Sequence, residues 1–160
     1  MKQWDISLVV NGKPRTGSVA PRLLLCDFLR QDLNLVGTHV GCAHGYCGCC
    51  TVIVDGTSVQ SCLMFAVQTD GCDVQTVEGL GTAARMHPIQ QAFWEHGGLQ
   101  CGFCTPGMLM SAVALLERNA KPSEDEVREA ISSNLCRCTG YETIVAAIMS
   151  AAEKLGVEAC

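Results

Sequence analysis

The chain has 160 residues, 48% of them hydrophobic, which is enough to bury a core without disulfides closing an undersized domain. Its formal net charge of −5 gives no electrostatic ground for a nucleic-acid or anionic-membrane partner. The opening residues Met1–Asp5 lead straight into a strand-like stretch with no apolar leader, and no apolar run is long enough to span a bilayer. The expectation is a cytoplasmic protein with no membrane insertion, in which thiols stay reduced and twelve cysteines signal metal or redox chemistry rather than disulfides.

The first half reads as short strands and turns. Ile6–Val10, the turn pair Asn11-Gly12 and a second extended stretch predict a hairpin, because Asn-Gly supplies the positive φ angles of a tight turn. Leu23–Leu33 reads as a short helix with Leu25, Phe28 and Leu29 on one face. Thr51–Val54, Asp55-Gly56 and Thr57–Gln60 predict a second hairpin, and Asp73–Val77 a closing strand.

From Pro88 onward the pattern is helical: Pro88–His96, Pro106–Arg118, Glu124–Ser132 and Glu142–Leu155. Thr105 reads as a cap before the first-turn Pro106, and Ser123-x-x-Glu126 and Thr139-x-x-Glu142 as capping boxes. Phe93, Trp94 and Met110 are assigned to the core of these helices. The join falls around Glu78–His87, where Gly79 and Gly81 interrupt the periodicity, so the division is residues 1–78 and 79–160.

Eight cysteines form two sets. Cys42-x4-Cys47-x2-Cys50, with Cys62 eleven residues further on, has the plant-type spacing for a 2Fe-2S cluster. Gly41, Gly45 and Gly48 let the loop approach an inorganic core and aim backbone N–H groups at it. A zinc site favours other short-spaced pairs, and a Rieske arrangement through His39 or His44 is unnecessary where four thiolates are at hand. The second set, Cys101-x2-Cys104 and Cys136-x-Cys138, places each pair before a predicted helix, where free N–H groups favour an anionic cluster. Spacing alone leaves structural zinc open for this set. Of the remaining thiols, Cys26 reads as a small apolar helix residue, Cys72 as a turn residue and Cys160 as an exposed terminal thiol. Arg137, between two of the cysteines, reads as a charge screen for a cluster or a pairing residue for a partner subunit, and equally well as a plain surface residue.

Three segments carry a family resemblance: Gly41-Cys42-Ala43-His44-Gly45-Tyr46-Cys47-Gly48, Gln100-Cys101-Gly102-Phe103-Cys104-Thr105-Pro106-Gly107-Met108, and Asn134-Leu135-Cys136-Arg137-Cys138-Thr139-Gly140-Tyr141. In order and spacing they resemble the small iron-sulfur subunit of the molybdenum hydroxylases, the xanthine dehydrogenase and aerobic carbon monoxide dehydrogenase family. Ser61–Gln68 is also similar to the carbon monoxide dehydrogenase branch.

The resemblance implies an α+β chain, with an N-terminal ferredoxin-like β-grasp domain followed by a C-terminal four-helix bundle domain. It implies two 2Fe-2S clusters, held by Cys42, Cys47, Cys50 and Cys62 and by Cys101, Cys104, Cys136 and Cys138. It also implies a large molybdopterin-binding subunit and a medium FAD-binding subunit, in a hetero-oligomer such as a dimer of heterotrimers. Electrons would pass from molybdenum to the second cysteine set, then to the first, then to FAD, with Gln100 and Cys138 lying against the pterin. Substrate catalysis is not expected from this chain alone. Cys49 departs from the family, which usually has a small residue such as alanine there. Apart from the resemblance, a free-standing ferredoxin-like carrier and a zinc-stabilised interaction module are the other readings of the same cysteines.

Overall fold

The structure, a computed structural model, describes residues 2–158. Strands β1 (Trp4–Val10) and β2 (Lys13–Val19) form the first hairpin, β3 (Thr51–Val54) and β4 (Thr57–Gln60) the second. Strand β5 (Asp73–Gln75) lies between the hairpins, parallel to β1 and antiparallel to β3, giving the sheet order β2-β1-β5-β3-β4. Asn11 and Gly12, and likewise Asp55 and Gly56, have positive φ, as both hairpin turns require. The closing strand stops at Gln75, because Thr76 turns away to pair with Asn11 and Glu78.

Burial alternates along β1, with Ile6, Leu8 and Val10 inward, whereas all four residues of β3 are buried. The reason is that β3 is covered on both faces. Val52 and Val54 join Leu25, Phe28 and Leu29 in one core, while Ile53 points into a second core built by the helices. The helix expected over Leu23–Leu33 is shorter and wider: one α turn, α1 (Leu25–Asp27), continues as a π turn over Phe28–Asp32. The wider turn keeps the neighbours Phe28 and Leu29 both buried against the sheet.

The second half consists of α2 (Pro88–Glu95), α3 (Thr105–Arg118), α4 (Glu124–Ala130) and α5 (Glu142–Glu158). Sheet followed by helices makes the chain α+β, a ferredoxin-like part and then a helical part. Phe93, Met108, Met110, Ile144 and Ile148 fill the helical core. Trp94, expected in that core, is 73% exposed. In an eight-residue helix only one stripe can face inward, and Trp94 stands about 100° round from Phe93.

The Ser123 capping box forms as expected: Glu126 N–H donates to Ser123 Oγ, and Ser123 N–H donates to Glu126 Oε2 at 2.7 Å. The other two caps differ. Cys104, not Thr105, is the N-cap of α3, which places Pro106 one residue deeper. Thr139 lies three residues before α5 opens at Glu142, and its hydroxyl is 3.1 Å from Cys136 Sγ and accepts from Tyr141 N–H at 3.2 Å. An unforeseen cap opens α2, where His87 Nδ1 accepts from Ile89 N–H. Cys160 lies outside the described residues. Among the described residues, no helix is long and apolar enough to cross a membrane.

Candidate iron-sulfur centre

The first cysteine set is built by the loop between the π turn and β3. Positive φ at Ala43, Gly45 and Gly48 curls the chain so that successive N–H groups face inward. The N–H groups of Tyr46 and Cys47 both lie 3.3 Å from Cys42 Sγ. Such donors, His44 N–H foremost, hold the Cys42 thiol down to about 6 even against its partial burial. A thiol that readily becomes thiolate is what metal ligation needs.

Cys62 arrives on a short 3₁₀ turn, Ser61–Leu63, directly after β4. Ser61 fixes that turn to the loop, since both its N–H and its hydroxyl donate to Cys50 O, at 3.2 and 2.7 Å. Cys50 and Cys62 are thereby buried side by side, with Cys26 packed against them. Cys26 is a buried residue of α1, and burial followed by the nearby Asp27 carboxylate pushes its thiol up to about 11. Burial, then contact with Cys50, pushes the Cys62 thiol up to about 12.

The second set stands at the starts of α3 and α5. Cys101 is exposed and Cys104 is buried, and burial followed by contact with Cys136 pushes the Cys104 thiol up to about 12. Across from them, Cys136 Sγ accepts from Thr139 N–H at 3.4 Å, and its own N–H donates to Tyr141 Oη at 2.8 Å. Burial disfavours the Cys136 thiolate, but the Thr139 hydroxyl and N–H outweigh it and the thiol falls below its ordinary range. Cys138 Sγ lies 3.6 Å from Cys101 Sγ, and this contact raises the Cys138 thiol. Gln100 Nε2 donates to Cys138 O at 3.3 Å, so the two residues expected at the pterin lie together at the exposed end of this set.

Within the two sets the thiols meet in pairs, Cys42 with Cys47, Cys50 with Cys62, Cys101 with Cys138, and Cys104 with Cys136, and Cys47 also touches Cys49. A dinuclear cluster draws two thiolates to each of two irons, so the pairing fits 2Fe-2S chemistry in both sets.

Cys49, the departure from the family pattern, is 4% exposed and belongs to the helical core, near Cys104. Its thiol contacts Cys47, and burial, foremost, pushes it up to about 12. Cys72 is half-buried between a turn and β5, and Arg137 is exposed. His39 and His44 are loop residues: His39 Nδ1 is 2.8 Å from Phe103 O with its ring stacked on Phe103, and His44 Nδ1 is 2.7 Å from Cys42 O.

Sequence reasoning passed over the seam where the two loops meet. Leu135 N–H donates to Cys47 O at 2.9 Å, and Asn134 Nδ2 donates to Gly48 O at 2.8 Å. The only signal for it was that Asn134 and Leu135 directly precede a cysteine of the second set.

Comparison with known proteins agrees with this geometry. Residues 8–80 match the family model of the 2Fe-2S iron-sulfur cluster binding domain, and residues 76–149 that of the 2Fe-2S binding domain. The chain is 52% identical over 152 residues to the nicotine 6-hydroxylase small subunit of Paenarthrobacter nicotinovorans, covering 95% of this chain and 92% of that one. Its fold superposes on a chain of quinoline 2-oxidoreductase from Pseudomonas putida 86 with a TM-score of 0.93 at 49% identity, covering 98% of each. The aldehyde oxidoreductase from Desulfovibrio gigas gives a TM-score of 0.94 at 43% identity, where 97% of this chain matches 17% of a much longer one.

Proposed function

Because the chain belongs to the small iron-sulfur subunits of the molybdenum hydroxylases, we propose that Cys42, Cys47, Cys50 and Cys62 hold one of its two 2Fe-2S clusters and Cys101, Cys104, Cys136 and Cys138 the other. The chain is an electron-transfer subunit of an oxidoreductase complex. Each cluster, when bound, accepts and releases one electron. The protein supplies thiolates in pairs, inward N–H donors that offset a charge of roughly −2 per oxidised cluster, and a fixed spacing between the two sets. The observation that carries the ligand assignment is the four thiol pairs.

The partners in this reading are a large subunit with a molybdopterin cofactor and a medium subunit with FAD, assembled as a hetero-oligomer such as a dimer of heterotrimers. Gln100 and Cys138 face the pterin-bearing subunit. Their exposure supports this, as does the apolar surface left by Tyr46, Leu63 and Trp94, which are 69%, 63% and 73% exposed. The division into residues 1–78 and 79–160 belongs to the same proposal, supported by family matches that overlap at 76–80. Purification of the native complex tests it: about four irons per copy of this chain, with matching sulfide, together with pterin- and flavin-bearing partners, is the expected outcome. Zinc without sulfide would overturn the assignment.

A further inference from the structure

The two cysteine loops touch through one buried side chain. Asn134 is 1% exposed and all three of its amide bonds are directed. Its Nδ2 donates to Gly48 O at 2.8 Å and to Thr51 Oγ1 at 3.3 Å, and its Oδ1 accepts from Ser111 Oγ at 2.7 Å. Gly48 separates Cys47 from Cys49 in the first loop, Thr51 opens β3, and Ser111 lies on α3 behind Cys104. The main chain around Asn134 is held as well. Asn134 O accepts from Tyr141 Oη at 3.3 Å, and the next residue, Leu135, donates its N–H to Cys47 O at 2.9 Å.

Close approach at this seam is enforced by two glycines. A Cβ on Gly48 would lie 2.3 Å from Ser133 O and 2.7 Å from Asn134 Nδ2, and one on Gly107 would lie 2.2 Å from Gly48 O. Neither position tolerates a side chain without prising the loops apart.

We propose that Asn134 is a positioning residue shared by both clusters, which sets their separation and orientation by bolting the Cys47–Cys50 loop to the Cys136–Cys138 loop. The proposal rests on the ligand assignment above. It differs from an ordinary packing role in what it demands: one substitution must disturb both clusters together. An asparagine is required rather than an aspartate, because two acceptors, Gly48 O and Thr51 Oγ1, face Nδ2, and a carboxylate oxygen there would donate to neither.

The test uses the assembled complex, reduced with dithionite and read by EPR, with each signal assigned from variants that lose one cluster (Cys62→Ala or Cys104→Ala). In Asn134→Ala and Asn134→Asp, both signals are expected to shift and the magnetic interaction between the reduced clusters to change or vanish, with iron content retained. In Tyr141→Phe, which releases Cys136 N–H and Asn134 O but leaves the Asn134 amide on Gly48 O and Thr51 Oγ1, the second-set signal should shift more than the first. Ser111→Ala, which leaves the loops in contact but releases Oδ1, should shift both signals by less, and it decides the matter should the Asn134 variants fail to assemble. A shift confined to one signal in Asn134→Ala, or no shift in Ser111→Ala, overturns the inference. Two EPR signals missing from the unmodified complex would instead refute the ligand assignment on which it rests.

Discussion

Replacing Gly48 by alanine isolates the energetics of the seam between the cysteine loops. Gly48 has φ of +67°, in the left-handed region, and a Cβ there meets Ser133 O at 2.3 Å and Asn134 Nδ2 at 2.7 Å. The backbone conformation alone costs a non-glycine residue about 1–2 kcal/mol. Forcing a methyl group into a closed contact adds about 1–3 kcal/mol. Gly56, in the β3–β4 turn, supplies the control: its φ is +78° but nothing lies within 4 Å of the added Cβ. Gly56→Ala therefore carries the conformational cost and Gly48→Ala carries both. With a urea dependence of about 2 kcal/mol per M, Gly56→Ala should lower the midpoint for loss of the cluster absorbance by about 0.5–1 M, and Gly48→Ala by about 1–2.5 M. The Gly48 variant should also disturb the EPR signals of both clusters, the Gly56 variant neither. Equal midpoints for the two variants would refute the claim that the seam is close-packed.

Other outcomes follow from the same geometry. Cys62→Ala or Cys104→Ala should each remove about half of the iron, about two of about four atoms, with one visible or EPR component surviving, as checked by iron and sulfide analysis of the complex. Cys49→Ala should keep the full iron complement, since the Cys49 thiol packs in the helical core while Cys47 pairs with Cys42; loss of about half the iron would make Cys49 a ligand. Phe93→Ala should destabilise the chain by about 3–5 kcal/mol in denaturant titration because its ring is fully buried. Trp94→Ala, at an exposed position, should stay within about 0.5 kcal/mol of the parent in the isolated chain.

What could be read from the sequence was what neighbouring residues decide among themselves. Both hairpins follow from Asn11-Gly12 and Asp55-Gly56, and the Ser123–Glu126 box follows from two side chains three positions apart. The two cysteine sets were legible because ligand spacing is local too. What depended on distant partners was not. Thr139 has the residue type for a cap, yet α5 opens only at Glu142 and the hydroxyl lies against Cys136 Sγ, a contact set by the cysteine loop. Trp94 and Phe93 are adjacent aromatic residues in a helix too short to say which faces inward, and the packing of α2 on α5 settles it for Phe93. Asn134 was invisible because its partner Gly48 is 86 residues away.

The distribution of exposure explains why the rigid contacts gather where they do. Each cysteine set has a sheltered side and an open one: Cys50 and Cys62 are 2% and 3% exposed while Cys42 and Cys47 are half-buried, and Cys104 is 8% exposed while Cys101 and Cys138 are open to solvent. Between the sets lie Cys49, Gly48, Gly107 and Asn134, packed with no room for another methyl group. A chain that passes charge between two centres needs the gap between them dry and of constant length, since water there would raise the local dielectric and let the loops drift. It also needs edges that a partner can reach. In the proposed assignment, glycines that permit contact and an amide that fixes it belong at the first place, and exposed thiols with a neighbouring Gln100 at the second. The sheet core of Ile6, Leu8, Val52 and Phe28 could exchange one aliphatic residue for another of like volume with little consequence for the centres, whereas a single atom added at Gly48 or Gly107 reaches both.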